Sequence, residues 1–209
     1  MQDRIVHIVD DDSQVRAGTS FLLRSRGYQT RDYAHGQEFL ETGELTEGCL
    51  LLDLRMPGLT GLQVQEELGR RGVMMPVIML SGHGDVSVAV QAMKMGALDF
   101  LEKPYGEQSL FSAVERALAL RTQNKERAQA REAASARLLR VSPRERQVLQ
   151  ALLGGMSNKA IARRLDLSPR TVEMHRANLM DRLGVASLAE AVRIALDGGL
   201  SPLTEQGEP

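Results

Sequence analysis

Five polar residues in the first half of the chain each follow a short apolar run, and this arrangement constrains the fold more than any other feature. They are Asp10, Asp11, Asp53, Ser81 and Lys103. Short runs rich in branched side chains and broken by Asp, Gly and Pro are typical of buried strands in a parallel sheet. In such sheets the binding groups collect at the carboxyl ends of the strands. The pattern therefore predicts an acidic pocket that also holds a hydroxyl and an ammonium group.

The segments between these runs have the spacing of helices. We expect a polar edge strand at 28–33 and helices at 13–25, 36–42, 62–70, 86–95 and 107–120. The strict alternation of five strands and five helices indicates an α/β doubly wound domain with a five-stranded parallel sheet. His7 is expected to pack inside the first strand.

Charge and composition separate the middle of the chain from what precedes it. Residues 1–117 hold 11 basic and 17 acidic groups, a net charge of −6, whereas residues 118–140 hold 6 basic and 2 acidic groups, a net charge of +4. The segment 121–140 contains strong helix formers and almost no large apolar residues. We expect residues 1–120 to form the first domain and 121–140 a helical linker, with a flexible linker and a weak dimeric coiled coil as alternatives.

Only helical signals follow residue 141. Serines precede four short apolar-periodic segments as N-caps, and the first segment also has a capping box. This pattern predicts a small all-α four-helix domain at 141–197. The tail at 198–209 contains Gly, Pro and Glu, and we expect it to be flexible.

The third of these helices has two distinct faces. A helical wheel places Val172, Leu179 and Leu183 on one side and a mixed polar face opposite. Such a face is compatible with a plain solvated surface, but the helix before it, at 158–165, has the spacing of a helix-turn-helix. The candidate DNA-contacting residues are Asn158, Lys159, Arg164, Arg170, Thr171, Glu173, Met174, Arg176, Ala177 and Asn178.

The predicted pocket suits phosphoryl chemistry. Three crowded carboxylates need a cation, and Mg²⁺ prefers oxygen ligands while leaving positions open for phosphate oxygens. A carboxylate can attack a phosphoryl group, and Asp53 is the best candidate because it ends the central apolar run. The cation, Lys103 and Ser81 would then balance the charge of the phosphoryl oxygens.

The rest of the composition limits the cellular setting. The longest apolar runs are far shorter than a membrane span, and the N-terminus has no signal-peptide pattern. We therefore expect a cytoplasmic protein without membrane association. Its single cysteine, Cys49, lies in an apolar run and is expected to have a packing role.

Residues 1–120 closely resemble the CheY-like receiver domains of two-component systems, which have the strand order 2-1-3-4-5. The resemblance lies in the motifs Val9-Asp10-Asp11-Asp12, Leu52-Asp53-Leu54-Arg55-Met56-Pro57-Gly58, Ser81-Gly82-His83-Gly84 and Phe100-Leu101-Glu102-Lys103-Pro104. It implies that a histidine kinase phosphorylates Asp53 and that Ser81 and Lys103 contact the phosphoryl group. It also implies a switch role for Ser81 and Phe100, a cis Lys103-Pro104 peptide, and a Mg²⁺ site formed by Asp10, Asp11, Asp53 and the main-chain carbonyl of Arg55.

Residues 139–196 resemble the LuxR-type helix-turn-helix family. The shared motifs include Ser142-Pro143-Arg144-Glu145, Gly154-Gly155-Met156-Ser157-Asn158-Lys159 and Ser168-Pro169-Arg170-Thr171-Val172-Glu173. The two resemblances together are typical of the NarL/FixJ group of response regulators, and the motifs are most similar to the FixJ branch. The resemblance implies groove contacts by Glu173, Met174 and Ala177.

We therefore expect a response regulator transcription factor rather than an enzyme. Phosphorylation of Asp53 would promote a receiver homodimer and binding to double-stranded DNA, with RNA polymerase as a further candidate partner. The expected dimer face comprises Val86, Val90, Met93 and Leu98. Two alternatives are a DNA-binding regulator whose receiver serves only for dimerisation and a phosphatase that uses Asp53 as its nucleophile. The sequence leaves open whether the unphosphorylated receiver blocks the DNA-binding helix or simply does not dimerise.

Overall fold

The computed structural model describes residues 4–82 and 86–203, with only the backbone for Val86 and Ser87. The chain divides into two compact units, Met1–Asn124 and Lys125–Pro209. Among the described residues, no helix combines the length and apolar character needed to cross a membrane.

The first unit is built around a five-stranded parallel sheet with the order β2-β1-β3-β4-β5. This confirms the predicted fold class and strand order. Element boundaries differ from the predicted ones by at most one residue, apart from the end of the fifth helix. The strands are β1 (Ile5–Val9), β2 (Gln29–Tyr33), β3 (Cys49–Asp53), β4 (Val77–Ser81) and β5 (Asp99–Glu102), and the helices between them are α1 (Ser13–Ser25), α2 (Gly36–Thr42), α3 (Gly61–Arg70) and α4 (Val86–Lys94).

Alternate residues of the central strands supply two separate apolar cores. In β3, Leu50 and Leu52 belong to the core beneath α2, α3 and α4, whereas Cys49 and Leu51 belong to the core on the opposite face. This division follows from the two-residue period of a strand. Burial raises the pKa of the Cys49 thiol to about 12, so this side chain packs as a small neutral group.

His7 is a fully buried neutral side chain in β1, as expected from its position. Its Nε2 lies 3.1 Å from the carbonyl oxygen of Glu47, and its Nδ1 lies 3.2 Å from the Tyr33 hydroxyl. Because a carbonyl only accepts, Nε2 carries the proton and Nδ1 accepts from Tyr33. Burial lowers the pKa of His7 to about 4, outweighing the hydrogen bond to Glu47 that raises it.

A single long helix, α5 (Glu107–Leu138), follows the sheet. It therefore includes residues 121–138, for which the sequence left helical and flexible alternatives. Arg121 donates hydrogen bonds to the main-chain carbonyls of Thr46 and Met74, which anchors this part of α5 to loops of the first unit. Farther along, Ala134 and Leu138 are buried.

The described part of the second unit contains four further helices, α6 (Pro143–Leu153), α7 (Asn158–Leu165), α8 (Pro169–Leu183) and α9 (Leu188–Asp197). Each begins at a serine N-cap whose hydroxyl accepts a main-chain N–H, as the sequence predicts. Leu138, at the end of α5, packs in the same apolar cluster as Leu149, Leu179 and Leu183. The helical bundle therefore includes the last turn of α5.

Residues 198–203 pack against the helical bundle, whereas their composition predicted a flexible tail. Leu200 is buried in the bundle, and the main-chain N–H of Leu203 donates to the carbonyl of Gln150 at 2.8 Å. Composition did not indicate this packing because two apolar side chains among Gly, Pro and polar residues are enough to hold the segment against α6 and α9. Residues 204–209 lie outside the described residues.

Candidate functional site

Three carboxylates meet at the carboxyl end of the sheet, as the sequence predicts. Asp10 and Asp11 follow β1, and Asp53 ends β3. One oxygen from each carboxylate lies within 4.8 Å of the others. Asp10 is fully buried and Asp53 is 5% exposed, whereas Asp11 is exposed, so the cluster is open on one side.

Lys103 reaches this cluster from the end of β5. Its Nζ lies 2.7 Å from Oδ1 of Asp53 and 2.7 Å from Oδ2 of Asp10. The main-chain N–H of Lys103 donates to the carbonyl of Ser81 at 2.7 Å, which ties it to the end of β4. Burial by itself lowers the pKa of Lys103, but hydrogen bonds with both aspartates outweigh it and raise the pKa. Lys103 is therefore a cation at neutral pH.

The pKa of Asp53 is raised in spite of the neighbouring Lys103 ammonium. Burial raises the pKa of Asp53, Asp10 and Asp11 raise it further, and the hydrogen bond from Lys103 lowers it without cancelling the increase. Among the described residues, the three carboxylates of the cluster outnumber the Lys103 ammonium that pairs with them, which leaves an excess of negative charge. A hard divalent cation with oxygen ligands would relieve it, and the exposure of Asp11 makes the cluster accessible from solvent. The donor set therefore fits Mg²⁺.

Main-chain contacts hold the two buried aspartates in place. Oδ1 of Asp10 accepts the main-chain N–H of Asp12 at 3.0 Å, and the guanidinium of Arg16 donates to the carbonyl of Asp10. Gly61, the first residue of α3, approaches the main chain of Asp53 so closely that a Cβ atom there would lie 2.4 Å from the Asp53 carbonyl oxygen. Gly61 was not among the predicted site residues, because its role depends on a contact rather than on side-chain chemistry.

The remaining predicted pocket residues occupy distinct environments. Ser81 is 1% exposed, and its hydroxyl lies 3.2 Å from the carbonyl of Gly82, to which it donates. Arg55 is exposed on the turn after β3, and the role of its carbonyl stays a prediction. The Lys103-Pro104 peptide is cis, as the family resemblance implies. Residues 83–85, which include His83 of the Ser81 motif, lie outside the described residues.

A shallow apolar groove of about 720 Å³ lies between α4 and β5. Half-buried Phe100 lines it, and the exposed side chains of Val90 and Met93 stand beside it. The predicted dimer residue Leu98, which directly precedes β5, instead packs partly against the core under α1 and α5. The side chain of Val86 lies outside the described residues.

The two faces of α8 agree with the helical wheel. Val172, Leu179 and Leu183 are at most 2% exposed. The opposite side is exposed and comprises Arg170, Glu173, Met174, Ala177, Asn178 and Asp181. The helix therefore presents a mixed surface of charged, amide and small apolar side chains.

Three of the predicted DNA-contacting residues bind partners within the unit. Nη1 of Arg176 donates to Oδ1 of Asn158 at 2.7 Å, which links α8 to the first turn of α7. The hydroxyls of Thr171 and Ser168 lie 2.7 Å apart at the start of α8. These contacts orient the two helices of the motif, a role that helical periodicity does not reveal.

The basic residues of α7 lie in two different grooves. Lys159 and Arg163 line a groove of about 670 Å³ that extends to Pro169 at the start of α8. Arg164 lines a second groove of about 330 Å³ next to Met156, before α7, and Arg163 lines this groove as well. Arg163 lies about 40° from Lys159 on a helical wheel, so the two side chains share one face of α7.

Both units match known protein families. Residues 6–115 match the model of the response regulator receiver domain, and residues 140–195 match that of bacterial regulatory proteins of the luxR family. The transcriptional regulatory protein FixJ of Azorhizobium caulinodans is 46% identical over 198 residues, covering 94% of each chain. FixJ of Rhizobium meliloti is 42% identical, covering 97% of this chain and 100% of that protein.

Solved structures show the same relationship. The response regulator StyR superposes with a TM-score of 0.77 at 38% identity, covering 92% of this chain and 98% of that chain. Full-length FixJ from B. japonicum gives a TM-score of 0.60 at 39% identity, covering 96% and 99% of the two chains. The chain thus belongs to the transcriptional response regulators that join a receiver domain to a LuxR-type DNA-binding domain.

Proposed function

We propose that Asp53 is the phosphoacceptor that controls DNA binding by this regulator. Regulation by phosphorylation is the general mechanism of the family, and a receiver joined to a DNA-binding domain implies a histidine kinase partner. The observation that carries the assignment is the position of Asp53, within 4.8 Å of two other carboxylates and 2.7 Å from the Lys103 ammonium. A carboxylate so placed can accept a phosphoryl group whose new charge the ammonium partly balances.

Receiver domains typically bind Mg²⁺ in an acidic pocket of this kind. We assign its ligands to the carboxylates of Asp10, Asp11 and Asp53 and to the carbonyl of Arg55. When bound, the ion supplies positive charge to the phosphoryl oxygens. Lys103 orients and neutralises the same oxygens, and the Ser81 hydroxyl donates a hydrogen bond after it turns from the carbonyl of Gly82.

The conformational change that follows phosphorylation would pass from the pocket to the surface through Ser81, Phe100 and α4. Phe100 lies half-buried beside the groove that Val90 and Met93 border, so its inward movement would reshape that surface. A homodimer on this face would cover the exposed apolar side chains. Shifting the equilibrium from 1:99 to 99:1 needs about 5.5 kcal/mol of differential stabilisation, to which phosphorylation and dimerisation both contribute.

In the DNA-bound state, the exposed face of α8 would enter the major groove. Glu173, Met174, Ala177 and Asn178 would contact base edges, while Arg170, Lys159 and Arg163 would position the domain through phosphates. A phosphate contact by Arg164, which does not line the groove that reaches Pro169, stays a prediction from the sequence. Asn158, Thr171 and Arg176 would contribute chiefly by orienting α7 and α8, given their internal hydrogen bonds. Contact with DNA and RNA polymerase would place the protein in the cytoplasm.

Labelling by acetyl phosphate tests the acceptor. With Mg²⁺ present, we expect the wild-type chain to take up one phosphoryl group and Asp53→Asn to take up none. Asp32→Asn removes an aspartate from β2 of the same sheet and should label normally. Equal labelling of Asp53→Asn and wild type would reject Asp53 as the acceptor. Repeated turnover of an organic phosphomonoester by the wild type would instead support the phosphatase alternative.

Sedimentation and DNA binding distinguish a phosphorylation switch from a constitutive DNA-binding regulator. We expect the labelled chain to sediment as a dimer and to bind operator DNA more tightly than the unlabelled chain. Glu173→Ala should change the preferred sequence in a selection from random DNA, because a carboxylate discriminates among bases through cytosine N4. Identical dimer fractions and affinities with and without label would favour the constitutive alternative.

A further inference from the structure

A hydrogen bond between two hydroxyl groups connects the loop after β5 to α1. The Tyr105 hydroxyl lies 2.7 Å from the Thr19 hydroxyl, and Thr19 is 3% exposed. Tyr105 stands two residues after Lys103, and its ring packs against the core shared by α1 and α5. The contact joins positions 86 residues apart in sequence.

The direction of this hydrogen bond follows from the other contact of Thr19. The Thr19 hydroxyl donates its proton to the carbonyl of Val15 at 2.8 Å, so it accepts from Tyr105. Burial raises the pKa of Tyr105, which keeps the phenol protonated and able to donate. The bond is therefore a fixed feature of the neutral side chains.

Through α1, this bond reaches the acidic pocket. The Arg16 guanidinium in α1 donates to the carbonyl of Asp10, and Oδ2 of Asp10 lies 2.7 Å from Nζ of Lys103. Contacts therefore lead from Tyr105 through Thr19 and α1 to Arg16, and from Arg16 to Asp10, whose carboxylate binds the Lys103 ammonium. A lysine side chain has four rotatable methylene groups, so its ammonium is placed accurately only if its main chain is held.

We propose that Tyr105 is a positioning residue for Lys103, acting through its hydrogen bond to Thr19. The ring would remain packed in a phenylalanine variant, so the hydroxyl is the group that matters. Without the Tyr105 hydroxyl, the main chain at 103–105 is no longer held against α1. The Lys103 ammonium then samples more positions around Asp53. This inference rests on the proposed phosphoacceptor function of the pocket.

Two measurements on the full chain test the inference. Tyr105→Phe should slow labelling by acetyl phosphate several-fold in wild-type background and leave the rate unchanged when Lys103 is already replaced by Ala. Thr19→Val, which keeps the side-chain shape, should reproduce the effect. Tyr28→Phe removes the hydroxyl of a buried tyrosine in the same unit and serves as the control. Amide hydrogen exchange at Lys103, whose N–H binds the Ser81 carbonyl, should become several-fold faster in Tyr105→Phe.

The possible outcomes separate this inference from the phosphoacceptor proposal. Normal labelling and normal exchange in Tyr105→Phe would reject the positioning role. An equal loss of labelling rate in the Lys103→Ala background would also reject it, since the effect would then pass through the general fold. If the wild type takes up no label, the phosphoacceptor proposal is wrong, while exchange at Lys103 still decides whether the hydroxyl holds this segment.

Discussion

The first residue of α3 lies against the main chain of the proposed phosphoacceptor: a Cβ atom on Gly61 would stand 2.4 Å from the carbonyl oxygen of Asp53. Neither residue can shift easily, because Gly61 begins α3 and Asp53 ends the central strand β3. The pocket geometry therefore depends on a missing side chain as well as on its carboxylates.

Gly61→Ala should lower both stability and the rate of labelling by acetyl phosphate. The steric conflict must shift α3 or Asp53, and a conflict of this kind in a packed region costs about 1–3 kcal/mol. Urea unfolding and labelling measure the two effects. Gly69→Ala is the matched control in the same helix, since nothing lies within 4 Å of its Cβ position. It should stabilise the unit by about 0.5–1 kcal/mol; equal effects of the two variants would contradict the steric explanation.

Buried His7 should make the first unit less stable as the pH falls below 6.5. The pKa of His7 is about 4 in the folded chain against an ordinary value of 6.5, so in this interval the unfolded chain binds a proton that the folded chain does not. The contribution of His7 to the free energy of unfolding is fully present above pH 6.5 and declines towards pH 4. The total loss from this group is about 3 kcal/mol.

Urea unfolding at several pH values measures this dependence. His7→Gln should reduce the slope between pH 6.5 and 4, although it also lowers stability at neutral pH by disturbing the contacts with Tyr33 and Glu47. His35→Gln replaces an exposed histidine and should leave the slope unchanged. A wild-type slope retained in His7→Gln would show that other groups cause the acid sensitivity.

Replacing Gln65 with Leu should leave the first unit equally stable or make it more stable. Gln65 is 6% exposed, and its Nε2 donates to the carbonyl of Ala92 in α4 at 3.3 Å, while within the described part of the chain its Oε1 accepts no hydrogen bond. The Ala92 carbonyl would keep the N–H of Ala97 as a partner. Removing an unpaired buried oxygen returns about 1 kcal/mol, comparable to the bond that is lost. A loss above 2 kcal/mol in thermal or urea unfolding would indicate that Oε1 has a partner.

Lys159→Ala and Arg163→Ala should each weaken DNA binding and reduce its salt dependence. Both side chains are exposed in the groove that reaches the start of α8. Each lost phosphate contact lowers the slope of log affinity against log salt by about 0.9. Arg164→Ala is the matched control because, of these three basic residues, Arg164 alone does not line the groove that reaches Pro169. The assignment fails if Arg164→Ala changes the slope and the other two variants do not.

Much of the fold was predictable because local patterns reflect local constraints. Apolar runs such as the one before Asp53 indicated strands buried on both faces, and serines before apolar-periodic segments indicated helix starts. The convergence of Asp10, Asp53 and Lys103 followed from parallel topology, which brings strand ends to one edge. The buried face of α8 followed from the helical period alone.

Other features required coordinates because they depend on distances between remote residues. Leu98 looked like a surface residue near α4 but packs partly inward, and Leu200 looked like part of a flexible tail but is buried. Arg164 and Lys159 looked equivalent by charge, yet they line different grooves. In each case a residue type allows both outcomes, and the neighbouring elements decide between them.

By itself, the sequence determined the class of fold, the identity of the pocket side chains and the polarity of the helix faces, because these depend on periodicity and on which residues end each strand. Only the tertiary structure decided how the pocket is held. The approach of Gly61 to Asp53 and the hydrogen bond from Tyr105 to Thr19 join residues whose relation no local pattern encodes. Such contacts arise from packing, which sets distances only after all elements have assembled.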